Sequence, residues 1–164
     1  MNKIIEYILN GEDIALVSDA GTPCISDPGY LLINKARKEK IDVYSIPGPS
    51  SPIAALSISG LPSESFFFAG FLPKKKGRQT KIKFLSKLNS TIVIFESPHR
   101  LLKTLNDLRI IMGNRCISLC KEISKINESN FFGKIDDIIF EFESLSKIKG
   151  EYVIVIAKDG YNEV

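Results

Sequence analysis

Short apolar runs alternate with helix-like stripes along this chain of 164 residues, and that alternation constrains its fold more than any other feature. Helices are predicted where apolar residues recur every three or four positions, and strands where a short run is almost continuously apolar. Strands that alternate with helices are typical of an α/β fold. The predicted helices cover residues 3–10, 28–39, 52–59, 79–88, 98–112 and 136–146. The predicted strands cover residues 14–19, 41–46, 66–72, 91–96, 115–122 and 151–157, with a further strand at 131–135.

Gly60, Pro62 and Ser63 interrupt this alternation near the middle of the chain. They predict two small domains, residues 1–62 and residues 63–164. The composition, 44% hydrophobic and 25% charged, provides enough apolar mass for a core and excludes disorder as the dominant state. The net charge of +3 permits a nucleic-acid partner without requiring one.

Neither a membrane span nor a metal site is expected from the sequence. No apolar run approaches the ~18 residues of a membrane helix. The first thirteen residues lack the cleavage site of a secretory signal. Cys24, Cys116 and Cys120 are an odd number of cysteines without metal-ligand spacing, and the chain has a single histidine. These features favour reduced thiols, a cytoplasmic location and no metal.

Three turns after predicted strands share one pattern, in which Asp or Ser precedes a proline that opens a helix. The pairs are Asp27-Pro28, Ser51-Pro52 and Ser97-Pro98. Asp and Ser are favoured helix caps, and proline suits the first helical position. In open α/β sheets, ligands bind at the carboxyl ends of strands. The turns therefore predict a ligand crevice, although ordinary strand-to-helix connections can have the same residues.

The first of these turns, SDAGTPCISDPG at residues 18–29, is neither a Walker loop nor a GxGxxG motif. Gly21 allows a ligand to approach the main chain, and Pro23 stiffens the loop. Asp19 is a candidate ligand residue, whereas Asp27 is better explained as a helix cap. In the second turn, IPGPSS at 46–51, Ser50 faces the predicted crevice. These residues indicate a site for a polar cofactor that is held largely by backbone groups.

In the third turn, FESPHR at 95–100, Glu96, His99 and Arg100 cluster at a predicted helix start. A carboxylate, an imidazole and a guanidinium so close together favour a catalytic or substrate-binding role. The preceding loop, KKKGRQTK at 74–81, is strongly basic. It is either a solvated loop or a set of contacts to nucleic-acid phosphates. It contains no aromatic residue, so base stacking is not indicated there.

Five segments together resemble the ribosomal RNA small subunit methyltransferase I family, of the tetrapyrrole-methylase-like, S-adenosylmethionine-dependent superfamily. They are SDAGTPCISDPGY (18–30), IPGPSS (46–51), SGLPSESFFFAGFLPKKKGR (59–78), ESPHRLL (96–102) and KGEYVIVI (149–156). The resemblance implies two α/β domains with the cofactor between them, and a homodimer. It also implies 2′-O-methylation of a cytidine in small-subunit rRNA, either free or assembled into the small subunit.

The resemblance also implies roles for particular residues. The implied cofactor-binding residues are Asp19, Ala20, Gly21, Thr22, Pro23 and Ser50. The implied catalytic residues are Glu96, His99, Arg100 and Glu122. The implied RNA-binding residues are Lys74, Lys75, Lys76, Arg78 and Lys121. In the family's RELTK motif, Lys121 stands for Arg and Ser124 for Thr.

Family members begin with a glycine-containing strand and helix and end with a small helical region. Neither segment has a counterpart in these 164 residues. The resemblance is therefore to a member truncated at both ends, with an incomplete first domain and weak or partial cofactor binding. Two alternatives remain open from the sequence. One is methylation of a tetrapyrrole or another small acceptor. The other is a non-catalytic RNA-binding or dimerisation remnant.

Overall fold

The structure, a computed structural model, describes residues 1–161. The chain divides after Ser50 into two compact units, called here the first unit and the second unit. The domain boundary expected after residue 62 stays a prediction. The elements are α1 (Asn2–Leu9), α2 (Tyr30–Lys38), α3 (Ser51–Ile58), β1 (Phe66–Phe71), α4 (Arg78–Ser86), β2 (Thr91–Glu96), a 3₁₀ turn (Pro98–Arg100), α5 (Leu101–Met112), β3 (Cys116–Lys121), β4 (Ser129–Lys134), α6 (Ile135–Glu143) and β5 (Tyr152–Ile156).

The second unit is built on one five-stranded sheet with the order β1-β2-β5-β3-β4. β1 and β2 are parallel, and β5 runs antiparallel to both of its neighbours, β2 and β3. β4 pairs antiparallel with β3 at the far edge. The predicted α/β class is confirmed.

Alternating side chains along each central strand supply two separate cores, as the pleat of a strand requires. On one face, Ile92, Ile94 and the other large aliphatic side chains pack under α4, α5 and α6. On the opposite face, Val93 and its neighbours pack with Ala55 and Leu56 of α3. The nearly continuous apolar character of β2 and β5 follows from burial on both faces.

The first unit contains α1 and α2, and neither of its two predicted strands forms. Residues 14–19 and 41–46 have no strand pairing, and no backbone hydrogen bond joins them within the described chain. Val17 is 80% exposed and Tyr44 is 83% exposed. A strand needs a neighbouring backbone for its N–H and C=O groups, so apolar sequence alone did not produce one here.

The proposed capping pattern is only partly correct. α2 begins at Tyr30 and its cap is Gly29, so the Asp27-Pro28 pair lies in the preceding turn and the predicted Asp27 cap does not form. Ser97 does precede the 3₁₀ turn that Pro98 opens, although its side chain makes no cap hydrogen bond. None of the helices within residues 1–161 has the length and hydropathy of a bilayer span.

Candidate functional site

In the first unit, the two predicted cofactor turns are in contact. The Thr22 hydroxyl of the first turn donates to the carbonyl of Pro49 in the second turn, at 3.3 Å. Within the first turn, the Ser18 hydroxyl is 3.0 Å from the carbonyl of Gly21. These bonds place Ser50 next to the loop that begins at Asp19.

The candidate cofactor residues offer an open main-chain surface. Asp19, Ala20, Gly21 and Thr22 are exposed, whereas Pro23 and Ser50 are half-buried. Gly21 has a φ of +74°, a conformation that residues with a side chain rarely adopt. A Cβ at this position would meet no atom within 4 Å, so backbone conformation accounts for the glycine and the space beside it is free.

In the second unit, the turns after β1, β2 and β3 lie at the same end of the sheet, because these three strands run in the same direction. Phe71 of β1 is in register with Phe95 of β2. Glu96 pairs across the ladder with Tyr152, and Tyr152 pairs on its other side with Lys121. The ESPHR turn and the loop after β3 therefore flank the first residue of β5.

Glu96 lies in the interior and is fully engaged. Its Oε2 accepts from the Thr104 hydroxyl at 2.5 Å, and its Oε1 accepts from the Ser97 backbone N–H at 2.8 Å. Oε1 also lies 3.2 Å from Nε of Arg100. With both oxygens committed and only 2% of the residue exposed, Glu96 is placed to brace the turn.

Arg78 is the clearest correction among the predicted RNA-binding residues. It is only 6% exposed, and its Nε lies 2.7 Å from Oδ2 of Asp107. Its other two nitrogens donate to the Thr104 hydroxyl and to the Pro73 carbonyl. A buried guanidinium with a carboxylate partner has no free face for a phosphate.

The remaining candidates near this edge are open to solvent. His99 is exposed, and no hydrogen-bond partner for its imidazole lies within residues 1–161. Lys74, Lys75 and Lys76 are exposed, whereas Lys121 is partly covered. Of the four loop residues predicted to bind RNA, three are therefore accessible.

Glu122 is held in the loop after β3 rather than pointing freely from it. Its Oε1 accepts from the Glu151 backbone N–H at 2.8 Å and from Nζ of Lys125 at 3.2 Å. The backbone hydrogen bond, and then Lys125, lower the pKa of the Glu122 carboxyl. Hydrogen bonds to Glu151 and Glu122 raise the pKa of Lys125. A carboxylate with a lowered pKa is a poor proton acceptor.

Sequence reasoning missed Thr104 and Gly150, although both left a signal. Thr104 is a polar residue on the apolar stripe of α5, between Leu101 and Leu105, where a buried partner is required. Gly150 has a φ of +97°, and a Cβ there would lie 2.8 Å from Cγ of Glu122. The described residues contain no cluster of metal-ligating side chains.

Residues 2–139 match the family model described as Tetrapyrrole (Corrin/Porphyrin) Methylases. Curated relatives named "Ribosomal RNA small subunit methyltransferase I" include proteins from Halalkalibacterium halodurans, 43% identical over 159 residues, and Thermotoga maritima, 42% identical over 157 residues. A relative of the same name from Escherichia coli O157:H7 is 39% identical over 156 residues. The alignments cover 96%, 96% and 93% of this chain, but only 55%, 70% and 54% of the respective relatives.

Solved structures show the same fold at low sequence identity. The methyltransferase CobJ has a TM-score of 0.71 at 15% identity, over 99% of this chain and 72% of its own. Uroporphyrin-III C-methyl transferase from Thermus thermophilus, solved with S-adenyl homocysteine, has a TM-score of 0.59 at 15% identity. That match covers 94% of this chain and 72% of the other.

Proposed function

The chain belongs to the tetrapyrrole methylase family, and we propose that it is part of an S-adenosylmethionine-dependent methyltransferase that acts on small-subunit ribosomal RNA. The observation that carries this proposal is the 39–43% identity, over almost all of these residues, to relatives named for that activity. The site supports it because the exposed Lys74, Lys75 and Lys76 suit contacts to the phosphates of an RNA backbone.

We propose that the two joined turns of the first unit hold the cofactor. The exposed turn fits such a ligand because its main chain is open beside Gly21 and the Asp19 carboxylate is accessible to hydroxyl or ammonium donors. The Thr22–Pro49 hydrogen bond keeps the second turn and Ser50 beside it. When bound, S-adenosylmethionine supplies a methyl group on a positively charged sulfur.

The finer assignment, 2′-O-methylation of a cytidine, is part of the same proposal. A ribose hydroxyl is a weak nucleophile and gains from a nearby proton acceptor or cation. His99 is our preferred acceptor because it is exposed and unpartnered within residues 1–161. Arg100 remains a candidate for the ribose or a phosphate, and Lys121 for the RNA backbone. Glu96 supports the turn from inside, and the lowered pKa of Glu122 makes it a poor base.

We also propose a homodimer in the cytoplasm. An enzyme that modifies ribosomal RNA works where ribosomes assemble, and the cysteines within residues 1–161 form no disulfide, which suits a reducing compartment. A second copy would cover apolar surface that the first unit exposes, such as Val17 and Tyr44.

Calorimetry with S-adenosylhomocysteine tests the cofactor site directly. We expect measurable binding that Gly21→Ala weakens, because the substitution strains the turn and fills the space beside it. Gly11→Ala is the matched control, since Gly11 also has a positive φ and an open surround but lies outside both turns. No heat from the unmodified chain at millimolar ligand would refute cofactor binding by these residues.

Salt-dependent binding of 16S rRNA tests the basic loop. If all three lysines contact phosphates, replacing Lys74, Lys75 and Lys76 with alanine should flatten the slope of log K against log salt by roughly 0.7–0.9 per lost contact. The control replaces Lys87, Lys103 and Lys147, which are exposed elsewhere and remove the same charge. Equal slopes in the two variants would show that the loop is a solvated turn without phosphate contacts.

Methyl transfer itself is tested with small ribosomal subunits as the acceptor. The product should resist alkaline cleavage at one cytidine, because a 2′-O-methyl group removes the attacking hydroxyl. Alanine at His99 should slow single-turnover transfer by ~10²–10⁴-fold with cofactor affinity unchanged. Transfer at the full rate by that variant would exclude His99 as the base.

A further inference from the structure

A network of side-chain hydrogen bonds, with an ion pair at one end, supports residues 72–77, the segment that contains the three lysines of the basic loop. It starts at Asp107 and passes through Arg78 and Thr104 to Glu96 and Arg100. The three contacts from Asp107 to Glu96 measure 2.7, 2.7 and 2.5 Å. Arg78 comes from α4, whereas the other residues lie between the end of β2 and α5, so the network joins α4 to a segment 26 and 29 residues away at its two contacts.

Within this network, Thr104 is the one residue whose side chain both accepts and donates a hydrogen bond. A guanidinium has only donors and an ionised carboxylate has only acceptors. The Thr104 hydroxyl accepts from Nη2 of Arg78 and donates to Oε2 of Glu96, and Thr104 is fully buried. Without that hydroxyl, a donor on Arg78 and an acceptor on Glu96 both lose a partner where water is excluded.

Both arginines also hold the start of the basic loop. Nη2 of Arg100 donates to the Leu72 carbonyl at 2.7 Å, and Nη1 of Arg78 donates to the Pro73 carbonyl at 3.3 Å. These are consecutive carbonyls at the exit of β1, and the next residue is Lys74. The position of the lysines therefore depends on where the two guanidiniums are held.

The charges within this hydrogen-bonded network balance each other. Arg78 is paired with Asp107, and Arg100 is paired with Glu96. Buried charges that are paired and hydrogen-bonded in this way fix geometry more than they add stability. Arg78 is thus fully committed to these partners, whereas Arg100 uses only its Nε and Nη2 for them.

We infer that Thr104 is a positioning residue, which joins Arg78 to Glu96 and thereby fixes the basic loop in the orientation that presents Lys74, Lys75 and Lys76. The consequence for RNA rests on the proposed function, whereas the consequence for loop order does not. Loss of the hydroxyl should loosen residues 72–77 while leaving all three lysine charges in place.

Backbone ¹⁵N relaxation on the 164-residue chain tests the loop directly, since it reports order at amides that donate no hydrogen bond. Thr104→Val keeps the side-chain volume and removes the hydroxyl, whereas Thr104→Ser keeps the hydroxyl and removes a methyl group. We expect the order parameters of residues 74–77 to fall from about 0.85 to below about 0.6 in Thr104→Val, with β5 unchanged, and Thr104→Ser to restore them. Unchanged order parameters in Thr104→Val, or the same fall in Thr104→Ser, overturn the inference.

Asp107→Asn decides the matter if Thr104→Val fails to fold. This variant weakens the outer end of the chain of bonds, at a side chain that is partly exposed. Lower order parameters confined to residues 74–77 support the inference, and wild-type values there overturn it.

Binding of 16S rRNA separates this inference from the proposed function. Thr104→Val should weaken binding by on the order of tenfold, because the loop must be reordered, with the same salt slope as the wild type. If the wild type binds no RNA, the RNA proposal fails, and the relaxation experiment still decides the role of Thr104. If RNA binds but Thr104→Val matches the wild type in both affinity and slope, the link from loop order to RNA is wrong.

Discussion

Residues 91–96 and residues 14–19 are both short apolar runs, yet only the first becomes a strand. In β2, Ile92 and Ile94 are fully buried, and the backbone pairs with β1 on one side and β5 on the other. In the first unit, Ile14 and Val17 remain exposed, and the segment has no pairing. The same kind of sequence thus gives opposite results, because strand formation depends on a neighbouring backbone at least as much as on side chains.

Hydrogen exchange should show the largest difference between the two units. Amides of β2 and β5 should exchange only through large-scale unfolding, since they are paired and buried on both faces. Amides of residues 14–19 and 41–46 should exchange several orders of magnitude faster, because no ladder protects them. Mass spectrometry of peptides from each segment measures the difference. Comparable protection of the two sets would show that a partner strand covers the first unit in solution.

Cavity-forming substitutions should give the next largest difference. Leu105→Ala removes a fully buried side chain beneath the sheet and should lower the free energy of unfolding by about 2–5 kcal/mol. Leu31→Ala in the first unit removes a side chain that is 68% exposed and should change the free energy of unfolding by less than about 0.5 kcal/mol. Urea denaturation measures both. A loss of several kcal/mol for Leu31→Ala would mean that this surface is covered.

Two glycines with positive φ allow a finer comparison. Gly150→Ala places a Cβ 2.8 Å from Cγ of Glu122, so that side chain must give up its hydrogen bonds. Gly21→Ala introduces similar backbone strain without a clash. Gly150→Ala should therefore lower the melting temperature more than Gly21→Ala does. Equal costs from thermal denaturation would show that Glu122 moves aside freely.

The loss of folding stability at acid pH, called here the acid limb, should give the smallest difference between the two units. Folding lowers the pKa of Glu122, chiefly through the Glu151 backbone N–H and then through Lys125. Its contribution is therefore present above the unfolded carboxyl pKa of about 4.3, and is lost as pH falls through the lower folded pKa. Glu122→Gln should make stability less dependent on pH below that value. Glu12→Gln, an exposed glutamate of the first unit, is the control, and an identical acid limb in both variants would contradict this account.

Much of the second unit could be predicted from the sequence. The runs at 66–72, 91–96, 115–122 and 151–157 each contain an observed strand, and residues 131–135 overlap β4. The helices at 79–88 and 136–146 are also confirmed within a few residues. Local periodicity was sufficient because these segments find partners within the same unit, so that each apolar face is buried as its pattern requires.

The site was predicted as a set of turns rather than as an arrangement of side chains. The spacing of ESPHR and IPGPSS placed these segments after predicted strands. Local sequence does not reveal that the hydroxyl of Thr22, in the first turn, reaches Pro49 of the second turn, 27 positions away. Hydrogen-bond partners that are distant in the chain are set by folding.

Arg78 shows most clearly what only the tertiary structure decided. Its neighbours in sequence are lysines and a glycine, which indicate a solvated loop. Its partners in space are Thr104 and Asp107, 26 and 29 residues away, and they bury it. The sequence by itself determined the family and the alternation of strands and helices in the second unit. Folding separated the buried guanidinium from those lysines, because a buried charge is tolerated only where carboxylate and hydroxyl partners converge on it.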